Sequence, residues 1–302
     1  MTLNWRTIAP CPLTFMLTLA ASSGFVPASA QEVLTLPSSR PTRWLEVREL
    51  GGEASARHGG TNWHTARLGD LLLWQGDGIR TGENSEASLS FDDGIGSIRV
   101  FEESRLEILT LTIDAEGGKI TEIDVPEGTA RFQIRRLNRP SSTLTIQSPA
   151  GIAGVRGTDF GVGITPMGRT AVATFEGAVV AEAEGLSVNV DNGTYSILIP
   201  GEVPTEPDSL SGADVDLGIP NAELVAGAPV PTARIEGKVF PINLVYVNGE
   251  VVETNVSGEF TVDALLDDLQ MFLVEVRSPS GEAQSFQIEV TEDDWTRTHI
   301  LP

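Results

Sequence analysis

The chain has 302 residues, with 20 basic and 42 acidic side chains, a formal net charge of −22 and one cysteine. A chain with this much negative charge repels nucleic acid, because binding to phosphates needs clustered Lys and Arg. The same charge keeps it away from anionic membrane surfaces. Its length exceeds the usual size of a single domain, so we expect two domains.

Residues 1–30 have the three-part pattern of a secretory signal. Arg6 precedes an apolar run at 13–26, and the small residues Ala-Ser-Ala follow at 28–30. The pattern predicts cleavage after Ala30, and the loss of Arg6 then leaves 19 basic and 42 acidic residues and no cysteine. We expect a bacterial protein that is periplasmic or secreted and has no stable membrane span after cleavage. An uncleaved N-terminal anchor is the alternative.

After a flexible leader at 31–44, residues 45–200 consist of short apolar runs separated by Gly, Asp and Asn, which predicts an all-β domain. Residues 130–135 alternate apolar and polar side chains, as a half-buried strand does. We predict turns at 92–94, 114–118 and 191–193, and a hairpin at Glu176-Gly177. A β-sandwich, a jelly roll and a rolled sheet all satisfy this pattern.

A glycine-rich stretch at 148–162 reads Ser-Pro-Ala-Gly-Ile-Ala-Gly-Val-Arg-Gly-Thr-Asp-Phe-Gly-Val. Glycines among β-branched residues predict a tight hairpin or bulged corner with Gly157 at positive φ, so Gly157→Val should destabilise it. Arg156 either locks this corner by bonds to backbone carbonyls and Asp159, or contacts a partner. The candidate motif or contact residues are Arg156, Gly157, Thr158, Asp159 and Phe160.

This stretch, the Gly-Asp…Ile-Arg-Thr-Gly…Ser pattern within 68–94 and the Phe-Glu-Gly-Ala-Val turn at 175–179 resemble the FecR domain. That domain is the extracytoplasmic module of bacterial FecR-type sensor proteins. The resemblance covers about residues 45–200 and implies an all-β domain without known catalytic residues. In full sensors of the family, a cytoplasmic anti-sigma segment and one transmembrane helix precede the domain, which contacts a receptor's signalling domain. Because a signal peptide stands there instead, we do not expect the same transmembrane route.

Residues 201–233 contain five prolines and several acids, which predicts an extended linker. Residues 234–302 alternate again, and Asn248-Gly249 predicts a type I′ hairpin. The run Val-Tyr-Val-Asn-Gly-Glu-Val-Val…Ser-Gly-Glu-Phe-Thr-Val at 245–262 resembles small Ig-like β-sandwich modules of bacterial surface and secreted proteins. We therefore predict a second, Ig-like β domain.

No enzyme motif is evident in the sequence. The three histidines, His58, His64 and His299, lack metal-ligand spacing, although the first two could approach each other across a loop. We expect a solvated loop there instead. Because no Gly-x-Ser-x-Gly elbow or phosphate loop is present, and because adjacent carboxylates suit turns and surfaces, we predict no catalytic, cofactor-binding or metal-binding residue.

Two further groups of side chains have open interpretations. Trp63, Trp74 and Phe101 either line a sugar platform or pack in the core, and we expect core packing. The arginines within 135–139 are the one dense basic group of the sequence, and we expect a solvated loop there.

The favoured hypothesis is an exported, non-catalytic module that binds an envelope protein or a glycan. The alternative is a structural spacer of the cell envelope.

Overall fold

The computed structural model describes residues 42–60, 62–290 and 295–300, with backbone alone at 93, 220 and 295–300. The predicted signal peptide therefore lies outside the described residues. Within these ranges the chain is all β, apart from one 3₁₀ turn at Asp92–Gly94, which confirms the predicted fold class. The described part contains no helix long and apolar enough to cross a membrane.

The region up to residue 209 contributes seventeen strands among the described residues. They are β1 (Leu45–Gly51), β2 (Ala54–Arg57), β3 (His64–Thr65), β4 (Leu71–Leu72), β5 (Gly78–Thr81), β6 (Glu86–Phe91), β7 (Gly96–Val100), β8 (Arg105–Ile113), β9 (Lys119–Ile134), β10 (Thr143–Ser148), β11 (Gly151–Val155), β12 (Asp159–Ile164), β13 (Thr170–Glu176), β14 (Ala178–Ala183), β15 (Leu186–Asp191), β16 (Thr194–Leu198) and β17 (Asp208–Ser209).

These strands pair in two series that share β9. The first runs β4-β1-β6-β7-β9-β12-β13-β16-β17. The second runs β3-β2-β5-β8-β9-β10-β11-β14-β15. Every one of these pairs is antiparallel except β9 with β10, which is parallel.

Strand β9 joins the two series because it bends in the middle. Its first part, up to Glu127, pairs with β8 and β10, and its second part, from Gly128, pairs with β7 and β12. Gly128 has a φ of 84°, and a Cβ there would overlap the Cα of Ser104. A residue without a side chain therefore allows one strand to serve both sheets.

The chain also crosses between the series at its short connections. Strand β13 pairs with β12 and β16, whereas β14 pairs with β11 and β15. The predicted hairpin at Glu176-Gly177 is therefore wrong, since this dipeptide is a corner between two sheets. Its glycine does have the positive φ of a turn, 89°. A hairpin and a corner between sheets give the flanking strands the same alternation of buried and exposed side chains. The sequence pattern therefore does not show which strand each of them pairs with, since contacts distant in sequence set that pairing.

The inward faces of both series form one hydrophobic core. Phe132 on β9 and Phe160 on β12 are fully buried in it, with their rings stacked 5.0 Å apart. The predicted alternation on β9 is confirmed, since Ala130, Phe132 and Ile134 are buried while Gln133 is exposed.

The C-terminal region contributes eight described strands. They are β18 (Gly218–Leu224), β19 (Thr232–Lys238), β20 (Leu244–Val247), β21 (Glu250–Val252), β22 (Glu259–Leu265), β23 (Met271–Arg277), β24 (Ala283–Val290) and β25 (Trp295–Ile300). They form two sheets, β18-β19-β22 and β21-β20-β23-β24-β25, whose apolar side chains share a second core. Asn248 and Gly249 have φ values of 50° and 85° between paired strands, which confirms the predicted type I′ turn. The resemblance to Ig-like modules stays a prediction.

Part of the predicted linker is ordered β structure. Strand β17 pairs with β16, and β18 pairs with β19, so the ordered C-terminal region begins before residue 234. Leu217 and Ile219 are buried in the second core. Pro220 lies on the edge strand β18 and has no backbone NH to donate. A register shift between Gly218 and Asn221 accommodates it.

The two β regions contact each other directly. Arg131 donates from Nη1 to the carbonyl of Ser280 at 3.0 Å, and Arg169 donates from Nη1 to the carbonyl of Pro241 at 2.9 Å. The described residues of both regions belong to one compact unit. The division into two domains remains a prediction.

Candidate functional site

The glycine-rich stretch forms a corner that carries the chain from β11 to β12, and thus from the second series to the first. The backbone NH of Leu137 donates to the carbonyl of Arg156, and that of Ile134 to the carbonyl of Thr158, both at 3.0 Å. Gly157 lies between these bonds with a φ of 134°, and a Cβ there would overlap the Cα of Arg136. The structure therefore has the predicted corner, pressed against the backbone that follows β9.

Three of the five candidate residues support this corner. The Thr158 hydroxyl is buried and donates to the carbonyl of Ala178 at 2.9 Å. Phe160 lies in the core, where its side chain offers no surface to a partner. Asp159 accepts two bonds from Arg131, at 2.9 Å each, on the neighbouring strand.

Arg156 differs from them because its side chain is exposed. Its Nη2 donates to the carbonyl of Pro140 at 3.1 Å. This bond fits the interpretation in which Arg156 locks the corner by binding backbone carbonyls. The expected link from Arg156 to Asp159 is not formed, since that carboxylate is held by Arg131. One hydrogen bond leaves most of the guanidinium donors of Arg156 available to solvent or a partner.

The predicted solvated arginines lie beside this corner, because residues 134–137 are hydrogen-bonded to 156–158. Arg135, Arg136, Arg139 and Arg156 are all exposed, and we call these four residues the arginine corner. Arg139 donates to the carbonyl of Glu116 at 3.0 Å. Within the described residues the structure shows no ion pair from any of the four. Their charges are therefore not neutralised by any acidic side chain that the structure describes.

A surface cleft of about 740 Å³ opens beside the arginine corner. Arg135, Arg136 and Gly157 form part of its lining, and Gln133 and Glu176 contribute polar side chains. Its lining residues include no histidine or cysteine, the side chains most often used as general base and thiol nucleophile. The cleft thus offers two guanidinium groups together with the carboxylates of Asp159 and Glu176, so its lining carries charges of both signs.

Two histidines lie closer together than the sequence predicted. The rings of His58 and His64 have their centroids 5.0 Å apart, and Asp70 joins them so that one ligand atom from each lies within 4.8 Å of the others. The expectation that no residue binds a metal stays a prediction, but these three side chains form a group that could hold an ion. The equal six-residue intervals between 58, 64 and 70 were the available signal, but this spacing matches no common ligand motif.

The three aromatic residues occupy different environments. Trp74 is 52% exposed, so the prediction that it packs in the core is wrong. Trp63 lies beneath the guanidinium groups of Arg57 and Arg80, at 4.9 and 5.0 Å from its ring centroid. Phe101 lies 5.7 Å from the guanidinium of Arg99.

Part of this chain is similar to known proteins. Two crystal structures of a protein proposed to be an anti-sigma factor, from Parabacteroides distasonis ATCC 8503, are similar to the chain at 15% and 14% identity. They match 48% and 49% of this chain and 67% and 68% of that protein, with a TM-score of 0.38 in each case, which is too low to bear on function. No curated protein gives a significant sequence match. The family described as FecR protein matches residues 77–180, which include the glycine-rich corner, and this part of the chain is a FecR domain.

Proposed function

We propose that this chain is an exported, non-catalytic module that binds an acidic segment of another envelope protein through the arginine corner. The observation that carries the proposal is the concentration of four exposed arginines at one corner of a chain whose net charge is −22. The FecR domain and the secretory pattern at 1–30 support a regulatory or sensing role outside the cytoplasm.

Electrostatics favours one orientation of such a partner. A surface that is acidic elsewhere repels an acidic segment, while the arginine corner attracts it, so encounter is steered to this site. Guanidinium groups bind carboxylates through two parallel hydrogen bonds, which adds geometric selectivity to the charge.

The corner is also held in place before a partner arrives. The bonds from Leu137 and Ile134 to the corner, together with the buried hydroxyl of Thr158, fix the backbone that carries the arginines. A preformed site loses less conformational entropy on binding than a mobile loop.

The test is affinity capture from the envelope extract of the source organism, followed by binding measurements with the captured protein. Arg156→Ala and the double variant Arg135→Ala/Arg136→Ala are compared with the unaltered chain. Arg48→Ala removes an exposed arginine on β1 and is the matched control. Circular dichroism checks that each variant is folded.

We expect one defined protein to bind the unaltered chain and the control, with affinity that falls as salt rises. The corner variants should bind about tenfold more weakly, as loss of a charge-assisted hydrogen bond implies. Equal binding by all variants would place the contact elsewhere. Capture of a neutral glycan in place of a protein would also contradict the proposed contact.

The second candidate function is a structural spacer, which the direct junction between the two β regions favours. Arg131 and Arg169 each bond a carbonyl of the C-terminal region, so that the described chain is suited to act as one rigid body. Small-angle scattering that fits one rigid shape, together with no partner in the capture experiment, would favour the spacer.

A further inference from the structure

His58, His64 and Asp70 come from three consecutive short segments near one end of the second strand series. His58 directly follows β2, and His64 begins β3, which runs antiparallel to β2 with Ala56 opposite His64. Asp70 ends the turn that leads into β4. The hairpin and the turn therefore present three metal-binding side chains to the same small volume.

Two of these side chains are positioned by neighbouring groups. Asp70 accepts a bond from the backbone NH of Arg67 at 2.8 Å, which fixes its carboxylate on the turn. Asp77 is fully buried, and its Oδ2 lies 3.9 Å from Nδ1 of His58. The same oxygen accepts the NH of Leu73 at 2.7 Å, so Asp77 is itself held in place. Histidines that bind a metal usually donate their other ring NH to such a carboxylate. At 3.9 Å Asp77 lies beyond hydrogen-bond distance, so it places a negative charge behind the ring of His58 without bonding to it there.

The donor set selects the type of metal ion. Two imidazole nitrogens and one carboxylate oxygen suit Zn²⁺ and related divalent transition metals, whereas Ca²⁺ and Mg²⁺ prefer oxygen ligands alone. Ligands of one tetrahedral Zn²⁺ lie about 3.3 Å apart, given bonds of about 2.0 Å. The present separation of at most 4.8 Å closes to this value by a small rotation of His64, whose side chain is exposed.

The charges around the site are of both signs. Arg57 and Arg80 both lie over the ring of Trp63, and Arg57 is also paired with Glu107 at 2.6 Å. Asp77 adds negative charge behind His58. Together with the donor set, this geometry points to a site for one divalent transition-metal ion at His58, His64 and Asp70, with Zn²⁺ as its occupant. We propose this site independently of the arginine corner.

The test is isothermal titration of Zn²⁺ into purified chain that has been stripped of metal with a chelator and carries no polyhistidine tag. We expect one ion per chain. His64→Gln and Asp70→Asn should weaken binding by about tenfold or more, since each removes one ligand. His299→Gln changes the third histidine of the chain, in β25, and should bind as the unaltered chain does.

Co²⁺ gives a second readout, because a four-coordinate ion absorbs visible light more strongly than one surrounded by six waters. Strong visible bands that disappear in His64→Gln would support the site. Absence of saturable Zn²⁺ binding would overturn it, as would equal affinity in the unaltered chain, His64→Gln and Asp70→Asn. His58→Asn is judged only alongside circular dichroism, since His58 also lies next to the buried Asp77.

Discussion

Arg131 and Asp159 lie on the adjacent strands β9 and β12 and form an ion pair with two hydrogen bonds of 2.9 Å. The same guanidinium donates to the carbonyl of Ser280 and lies 4.8 Å from the ring centroid of Phe175. The aspartate of the glycine-rich motif therefore orients an arginine that also holds the C-terminal region. This is a structural role, distinct from the partner contact that we propose for Arg156.

Asp159→Asn should destabilise the chain by about 1–2 kcal/mol, because it leaves the partly buried Arg131 without its counter-charge. Denaturation by urea, followed by circular dichroism, measures the change. Asp263→Asn is a matched control, since Asp263 makes the same two-bond contact with Arg234 at an exposed site. Exposed pairs contribute little, so the control should unfold as the unaltered chain does. Equal losses in both variants would contradict the structural role of Asp159.

Gly157→Val should destabilise the chain by about 3 kcal/mol or more. The residue has a φ of 134°, which β-branched side chains resist, and a Cβ would overlap the backbone of Arg136. Thermal denaturation measures the effect. Gly157→Ala and Gly154→Ala form a matched pair, because a Cβ at Gly154 meets only the carbonyl of Val180, at 3.9 Å. An unchanged melting temperature for Gly157→Ala would refute the strained corner.

Arg277→Ala should cost about 3 kcal/mol, because Arg277 is buried and pairs with Glu102 of the N-terminal region at 3.0 Å and with Glu275 at 2.6 Å. Its removal leaves several carboxylates close together at the junction. Thermal denaturation and limited proteolysis between the two regions measure the loss. Arg99→Ala removes a half-exposed arginine that pairs with Glu86 and should have little effect.

The loss caused by Arg277→Ala should depend on pH. Burial raises the pKa of Glu102 and Glu103 above the ordinary value of 4.5, and the charge of Arg277 opposes this rise. Without Arg277 the folded chain holds these protons more strongly, so its stability falls as pH rises through the raised folded pKa values. The variant should therefore lose less stability near pH 4.5 than at neutral pH. A loss of equal size at both pH values would argue against this charge cluster.

Both tyrosines of the chain should resist ionisation at pH 10. Burial raises the pKa of Tyr246 to about 12, and burial together with Asp208 raises that of Tyr195 above its usual 10.0. A spectrophotometric titration of the folded chain should show little tyrosinate from Tyr246 at pH 10 and less than half ionisation of Tyr195, against about half ionisation of both in denaturant. The stability linked to Tyr246 is complete below pH 10 and is lost as pH rises toward 12. Full ionisation of one tyrosine at pH 10 without unfolding would contradict its burial.

Local sequence patterns predicted the elements whose partners are adjacent in the chain. The hairpin at Asn248-Gly249 follows from two residues that tolerate positive φ, and the alternation at 130–135 follows from the two-residue period of a strand. The same patterns failed at Glu176-Gly177. A turn between two sheets uses the same residues as a hairpin, so only the pairing of distant strands distinguishes them.

The sequence by itself determined that residues 45–200 form β structure, that the glycine-rich stretch at 148–162 turns in a hairpin or corner with Gly157 at positive φ, and that arginines are concentrated near 135–139. These depend on composition, period and the backbone freedom of glycine, which are local properties. Only the tertiary structure decided that Arg131 rather than Arg156 pairs with Asp159, and that His58, His64 and Asp70 converge. Such contacts follow from how strands stack around a core, and burial of apolar side chains far apart in sequence sets that arrangement.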